Sequence, residues 1–241
     1  MSAPSRFLSG VATVPASQPL GNYPFPDPFH TSGNTGLDTV SYANDFFTVG
    51  STTLDWTITG TSSTFAITNL LGGAALLTPG GSSTVTTVAG THNGFQFISG
   101  YDFWYLCRIQ PAAVSSTKAF LFGLQTGTSA TSTDGIWFTK PASSTSVNLV
   151  SRVGSTSTTL VTGVATASAG GWLDVGFYYN GTDLLVYSSD NLVARVSAPT
   201  IGSSATTLTD ALLTPVFQMT PTAISDTLTI DYVLAAQEIT R

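Results

Sequence analysis

The sequence is poor in charge, glutamate and cysteine, and each shortage excludes a class of protein. Only 8% of its 241 residues are charged, and 11% are aromatic, a composition that argues against a disordered chain. The one glutamate, Glu238, argues against a helical protein, whose exposed faces use Glu and Lys. The one cysteine, Cys107, excludes an intrachain disulfide and a cysteine-rich zinc site.

The charge balance also limits the kinds of partner. The chain has 7 basic and 13 acidic residues, for a net charge of −6, and the basic residues are scattered singly. Nucleic-acid binding needs clustered Lys and Arg, so we expect no nucleic-acid partner. No apolar run approaches the ~18 residues of a transmembrane helix, so we expect no membrane partner.

The residues that are abundant favour β-structure. Thr and Ser contribute 40 and 29 residues, and they alternate with Val, Ile, Leu and aromatic residues in about fourteen short runs. Asp102–Pro111 places Phe103, Tyr105, Cys107 and Ile109 on one face, so Cys107 is predicted to be a small buried core residue. Many short strands without a helical period predict a single all-β domain made of two antiparallel sheets.

A further strand and a turn can be placed from the pattern. The last strand is predicted at Thr227–Ala235, with Leu228, Ile230, Tyr232 and Leu234 facing inward. The dipeptide Asn180-Gly181 predicts a tight hairpin turn.

Residues 1–40 differ from the rest of the chain, which we take as one domain at residues 41–241. They hold six of the 12 prolines, interleaved with aromatic residues, and proline does not support a regular sheet. The alternatives are a disordered tail and an extended arm held against its own domain or a neighbour. We expect the arm, with contacts to a neighbour or capsid subunit made by Arg6, Phe7, Tyr23, Phe25 and Phe29.

Four segments resemble the strand succession of concanavalin A-like (laminin G-like) jelly rolls. They are Asp102–Ile109, Phe120–Leu124, Asp134–Phe138 and Gly171–Gly181. In that fold the last strand lies beside the first, here expected at Asn44–Val49. Arg6–Val11 and Leu20–His30 resemble the N-terminus of structural proteins in tailed-bacteriophage genomes, and relatives of this kind are identified as capsid decoration (cement) proteins.

The resemblance implies an all-β, concanavalin A-like jelly-roll sandwich with an extended N-terminal arm that binds the major capsid protein. We expect the acidic chain on the outer surface of the virion, after assembly in the host cytoplasm. Strand edges poorly guarded by Lys predict a homo-oligomer, either a dimer or a trimer. The alternative function is a carbohydrate-binding, lectin-like module or virion adhesin for host glycans.

The sequence offers little for catalysis or metal binding, so we predict no enzyme, no cofactor and no metal. Retaining glucanases of this fold need two paired carboxylates, and Glu238 stands alone. Calcium at Asp134, Asp183 or Asp190 is a weaker alternative, because Asp in turns usually bonds its own backbone. The tryptophans Trp104, Trp137 and Trp172 are expected near the core, although an exposed one could stack on a sugar.

Overall fold

The part of the chain that the computed structural model describes contains fifteen β-strands and no helix. That part comprises residues 39–47, 55–82, 84–115, 117–142, 144–203, 207–223 and 225–239. The strands are β1 (Thr39–Asn44), β2 (Trp56–Thr59), β3 (Thr64–Ile67), β4 (Ala75–Thr78), β5 (Thr86–Gly90), β6 (Asp102–Pro111), β7 (Ala119–Gln125), β8 (Gly135–Lys140), β9 (Ser146–Val153), β10 (Thr156–Thr166), β11 (Leu173–Asn180), β12 (Leu184–Ser188), β13 (Asn191–Val196), β14 (Thr214–Thr220) and β15 (Leu228–Glu238). Within these ranges no helix is long and apolar enough to cross a membrane.

The strands form two antiparallel sheets. Sheet A has the order β13-β12-β11-β6-β15-β4-β3, and β1 also pairs with β15. Sheet B has the order β10-β9-β8-β7-β14-β5-β2. The predicted all-β sandwich of two antiparallel sheets is therefore confirmed.

Between the sheets lies an aromatic core formed by alternate residues of the central strands. Phe103, Tyr105 and Cys107 of β6 are buried, as the alternation predicts. Phe177 of β11 lies 5.3 Å from the Tyr105 ring and 6.5 Å from the Phe138 ring of sheet B. At these separations the attraction between aromatic rings adds to the stabilisation that comes from burying their apolar surface. The rings therefore hold the two sheets together.

The prediction of which side chains of the last strand face inward is correct up to Ile230 and wrong after it. In β15 the pairing with β6 shifts between Ile230 and Tyr232, which marks a β-bulge. A bulge inserts one residue and reverses the side-chain phase that follows it. Val233 is therefore buried in the core, while Tyr232 and Leu234 lie on the outer face.

The first strand is also misplaced in the sequence-based prediction, although its position beside the last strand is confirmed. β1 covers Thr39–Asn44 rather than Asn44–Val49, and it pairs antiparallel with β15. The Asn44 side chain accepts a hydrogen bond from the backbone N–H of Phe46 over 2.7 Å, and Phe46 has a φ of 55°. This Asx-turn ends the strand where extended structure was expected.

A buried carboxylate organises the turn before β15. Asp226 accepts hydrogen bonds from the backbone N–H groups of Thr222 (2.8 Å) and Ala223 (2.9 Å), and Lys118 forms an ion pair with it. Burial alone would raise the pKa of this carboxyl, but the bonds from Lys118, Thr222 and Ala223 outweigh burial and lower the pKa below its ordinary value.

We expect Asp226→Asn to lower the free energy of unfolding at pH 7 by about 2–3 kcal/mol, because Lys118 loses its anionic partner. The pKa of the Asp226 carboxyl is lower in the folded protein than in the unfolded chain, so ionised Asp226 stabilises the fold at pH values above the unfolded pKa. That stabilisation is lost as pH falls through the folded pKa. The gap between wild type and variant should therefore shrink below about pH 4 in urea unfolding. The exposed control Asp210→Asn should change stability by less than about 0.5 kcal/mol, and an equal loss in both variants would contradict the prediction.

Candidate functional site

The predicted contact residues of the arm, Arg6, Phe7, Tyr23, Phe25 and Phe29, lie outside the described residues. Their role stays a prediction. Of residues 1–40, only Thr39 and Val40 are described, and they begin β1.

A polar cluster lies on the outer face of sheet A, where β11, β6 and β15 run side by side. Arg108 donates from Nη1 to Oδ2 of Asp231 over 2.8 Å, and Tyr232 donates to Oδ2 of Asp174 over 3.1 Å. The Arg108 guanidinium lies over the Trp172 indole, 4.6 Å from the ring centroid. The bulge in β15 creates this cluster, because it turns Tyr232 to the face that carries Asp174.

The electrostatics of the polar cluster follow from partial burial and crowded carboxylates. Burial raises the pKa of Asp174, and the negative charges of Asp190 and Asp231 raise it further against the opposing effects of Tyr232 and Arg108. Burial and the Asp174 charge also raise the pKa of Tyr232, so its hydroxyl remains a hydrogen-bond donor at neutral pH. Carboxylates, a phenol, a guanidinium and an indole together can bind the hydroxyl groups of a polar ligand.

A second hydrophobic group covers the same outer face beyond the polar cluster. Trp104 stacks on Tyr178, with ring centroids 5.1 Å apart, and Leu185 and Tyr187 pack beside them. Trp104 is only 6% exposed and Trp137 only 7%, as expected for tryptophans near the core. Trp172 is half-buried, so it alone of these three presents substantial surface to a ligand.

An exposed apolar patch lies at the other end of sheet A. We define the apolar patch as Phe47, Ile67, Leu70 and Leu71. Leu71 is fully exposed, and Phe47, Ile67 and Leu70 are 75%, 47% and 42% exposed. Sequence reasoning missed this patch, although two leucines before a Gly-Gly pair are an unusual turn sequence.

The hairpin between β3 and β4 builds the apolar patch. The N–H of Thr68 donates to the carbonyl of Ala74 over 2.8 Å, and the N–H of Gly73 donates to that of Leu70 over 3.0 Å. Gly73 has a φ of 95°, and a Cβ there would lie 2.7 Å from the backbone nitrogen of Phe47. Glycine is therefore required at this position to bring Phe47 against the hairpin.

Two of the three aspartates considered for calcium, Asp134 and Asp183, are engaged by their neighbours. Asp134 accepts hydrogen bonds from a backbone N–H over 3.0 Å and from the Thr209 hydroxyl over 2.9 Å. Asp183 forms an ion pair with Arg195, and Asp190 lies in the β12–β13 turn with a φ of 64°. Among the described residues, no three potential ligand side chains are grouped so as to hold a metal ion.

Comparison with known proteins identifies the fold. No protein-family model matches the chain, and no curated protein matches its sequence. The endo-1,3-β-glucanase of Streptomyces sioyaensis superposes with a TM-score of 0.57 at 12% identity, over 85% of this chain and 98% of that one. The domain is a concanavalin A-like jelly roll. Identities this low show the fold alone.

Two more solved structures share this jelly roll. The β-glucanase of Bacillus licheniformis matches with a TM-score of 0.54 at 11% identity, over 83% of this chain and 98% of that one. A carbohydrate esterase of the Shiga toxin-encoding bacteriophage phi24B matches with a TM-score of 0.52 at 13% identity, over 83% and 98% of the two chains. The prediction of a concanavalin A-like jelly-roll sandwich is thereby confirmed, while the predicted arm lies outside the described residues.

These neighbours correct the prediction that the chain is not an enzyme. Glucanases and a carbohydrate esterase are built on the same jelly roll, so this fold is compatible with enzyme activity. The exclusion was wrong because it considered carboxylates paired along one strand. The jelly roll also brings together residues that are distant in sequence, as Asp174 and Asp231 in the polar cluster show.

Proposed function

We propose that this chain is a structural protein of a virus particle, a decoration (cement) protein that binds the major capsid protein on the outside of a tailed-phage head. The apolar patch carries the proposal. Four large apolar side chains are exposed on the β3–β4 hairpin and on the segment that lies against it. Exposed apolar surface of this kind is typical of a protein–protein interface. The N-terminal resemblance to structural proteins of tailed phages supports the identity of the partner.

The edge strands support self-association as a dimer or trimer. Four of the five edge strands of the two sheets, β1, β2, β3 and β10, carry no charged residue. Charged side chains on an edge normally discourage pairing with another chain. The longest of these edges is β10, with 11 residues rich in Thr, and symmetric pairing there would cover its free backbone groups.

We expect the double variant Ile67→Thr/Leu71→Ser to bind capsids at least about tenfold more weakly, because each lost apolar contact costs roughly 1 kcal/mol. Purified phage heads that lack the protein are incubated with each variant, and bound protein is quantified after sedimentation. The fold should be unaffected, since both side chains are exposed. Leu212→Ser, which removes an exposed leucine outside the patch, is the matched control. Wild-type occupancy by the double variant would contradict the role of the apolar patch.

The polar cluster favours a second candidate function, carbohydrate recognition. Sugar-binding sites combine an aromatic face with groups that exchange hydrogen bonds with hydroxyls, and Trp172, Asp174 and Tyr232 supply both. Screening the full chain on a glycan array tests this candidate. Binding that Trp172→Ala abolishes supports it, and the absence of any bound glycan contradicts it.

A further inference from the structure

A hydrophobic group on the outer face of sheet A is buried although no described strand lies over it. We define the outer hydrophobic group as Trp104, Tyr178, Leu185 and Tyr187. These side chains are 6%, 8%, 2% and 1% exposed. All fifteen described strands belong to sheet A or sheet B, so none of them forms a further layer outside sheet A.

The outer hydrophobic group points away from the core between the sheets. Trp104 stands between the core residues Phe103 and Tyr105 along β6, and Leu185 stands between the core residues Leu184 and Val186 along β12. Successive side chains of a strand point to opposite faces. Large side chains on the outward face of an antiparallel sheet normally meet water. The group is therefore buried on a face that the described strands leave open.

The described part of the chain begins beside this face. Thr39, the first residue of β1, pairs with Glu238 of β15, and Ala236 of β15 pairs with Trp104 of β6. Four strand spacings of about 4.8 Å separate β1 from β12 in sheet A, which together make about 19 Å. Nine residue steps of extended chain, the number between His30 and Thr39, span about 30 Å. A segment that ends at His30 can therefore reach every member of the group.

Residues 20–30 have a composition that suits an aromatic sheet face. Three prolines alternate there with other residues, among them Tyr23, Phe25 and Phe29. Proline-rich segments favour the extended polyproline II helix, and they dock in grooves lined by aromatic side chains. Because such a backbone is already extended, docking costs little conformational entropy. Three of the four members of the outer hydrophobic group are aromatic, so they supply a lining of this kind.

We propose that residues 20–30 dock within the same chain on the outer face of sheet A and cover the outer hydrophobic group. Residues 31–38 form a linker of eight residues between this segment and β1. A short linker gives an effective concentration in about the millimolar range, so a contact of only millimolar affinity keeps the segment docked. This docking needs no capsid, and it positions the residues before the segment for the proposed capsid contact.

Paramagnetic broadening of indole NMR signals tests the docking in the full-length chain. A nitroxide is attached to the variant Asp27→Cys, and the native Cys107 stays unlabelled because burial raises the pKa of its thiol. The chain has 4 tryptophans, and the indole N–H signals of Trp104 and Trp137 are assigned by their loss in Trp104→Phe and Trp137→Phe. The Trp104 signal should lose most of its intensity relative to the sample with reduced nitroxide. The signal of Trp137, on β8 of sheet B, should keep its intensity.

Two further variants of the labelled chain show whether this segment is the one that docks. Tyr23→Ser/Phe25→Ser/Phe29→Ser removes the rings of the segment and should restore the Trp104 signal. Phe7→Ser removes an aromatic residue outside the segment and should leave the broadening unchanged. All four positions precede β1, so no residue of the two sheets is altered. Broadening that survives the triple variant overturns docking through these rings.

A mixed sample distinguishes docking within one chain from docking between two copies. Isotope-labelled chains without nitroxide are mixed with unlabelled chains that carry it, so only a contact between copies can broaden the observed Trp104 signal. We expect no broadening in this mixture, and broadening would overturn the proposal in favour of a second copy. A Trp104 signal that keeps its intensity in the nitroxide-bearing chain also overturns it, whether or not the protein attaches to phage heads.

Discussion

Replacing Phe177 with alanine is expected to lower the free energy of unfolding by about 3–5 kcal/mol. The side chain is fully buried and contacts four other aromatic rings. Its centroid lies 5.9 Å from that of Phe97, 5.8 Å from Phe103, 5.3 Å from Tyr105 and 6.5 Å from Phe138. Because these rings come from both sheets and a loop, the sandwich cannot close over the space that alanine would leave.

Two variants establish that the loss comes from this packing. Phe177→Leu keeps most of the volume and should cost less than about 2 kcal/mol. Phe47→Ala removes an equally large but exposed ring and should change stability by less than about 0.5 kcal/mol. Urea unfolding followed by circular dichroism measures all three. A cost for Phe177→Ala below that of Phe177→Leu would show that the core is held elsewhere.

Removing residues 1–38 is expected to weaken attachment to capsids by about a hundredfold or more, the contribution of a tethered second contact. The proposed arm residues Phe7, Tyr23, Phe25 and Phe29 are lost with this segment, while β1 is kept. The jelly roll should remain folded, because all six register pairs of β1 with β15, from Thr39 to Asn44, stay intact. Occupancy on heads that lack the protein measures attachment, and circular dichroism measures the fold.

A longer truncation distinguishes loss of the arm from damage to the domain. Removing residues 1–44 deletes β1 and exposes the edge of β15 from Val233 to Glu238, so this chain should also lose stability. Serine at the four aromatic positions of the arm, in the full-length chain, should reproduce the binding defect alone. Wild-type occupancy by residues 39–241 would instead make the apolar patch the main anchor.

The part of the fold that follows from local alternation could be predicted from the sequence. The side chains of β6, β9 and β11 that enter the core between the sheets recur with a period of two. That period needs no knowledge of distant residues, because successive side chains of a strand point to opposite faces. The turn at Asn180-Gly181 is local in the same sense, since Asn180 Oδ1 accepts from the N–H groups two and three residues later. Both features agree with the structure.

The polar cluster could not be predicted, because it depends on pairing between distant strands. The face to which each side chain of β15 points is determined by the register of β15 with β6. Only that register reveals the bulge that brings Tyr232 to Asp174.

Composition and alternation alone determined an all-β sandwich with a proline-rich segment before it, since both depend on what each residue prefers locally. Only the tertiary structure decided which side chains meet, in the apolar patch beside Gly73 and in the polar cluster around Arg108. The sequence specifies the chemistry of each side chain. A functional site also requires particular distances between side chains, and these distances are determined by pairing between strands that are far apart in the sequence.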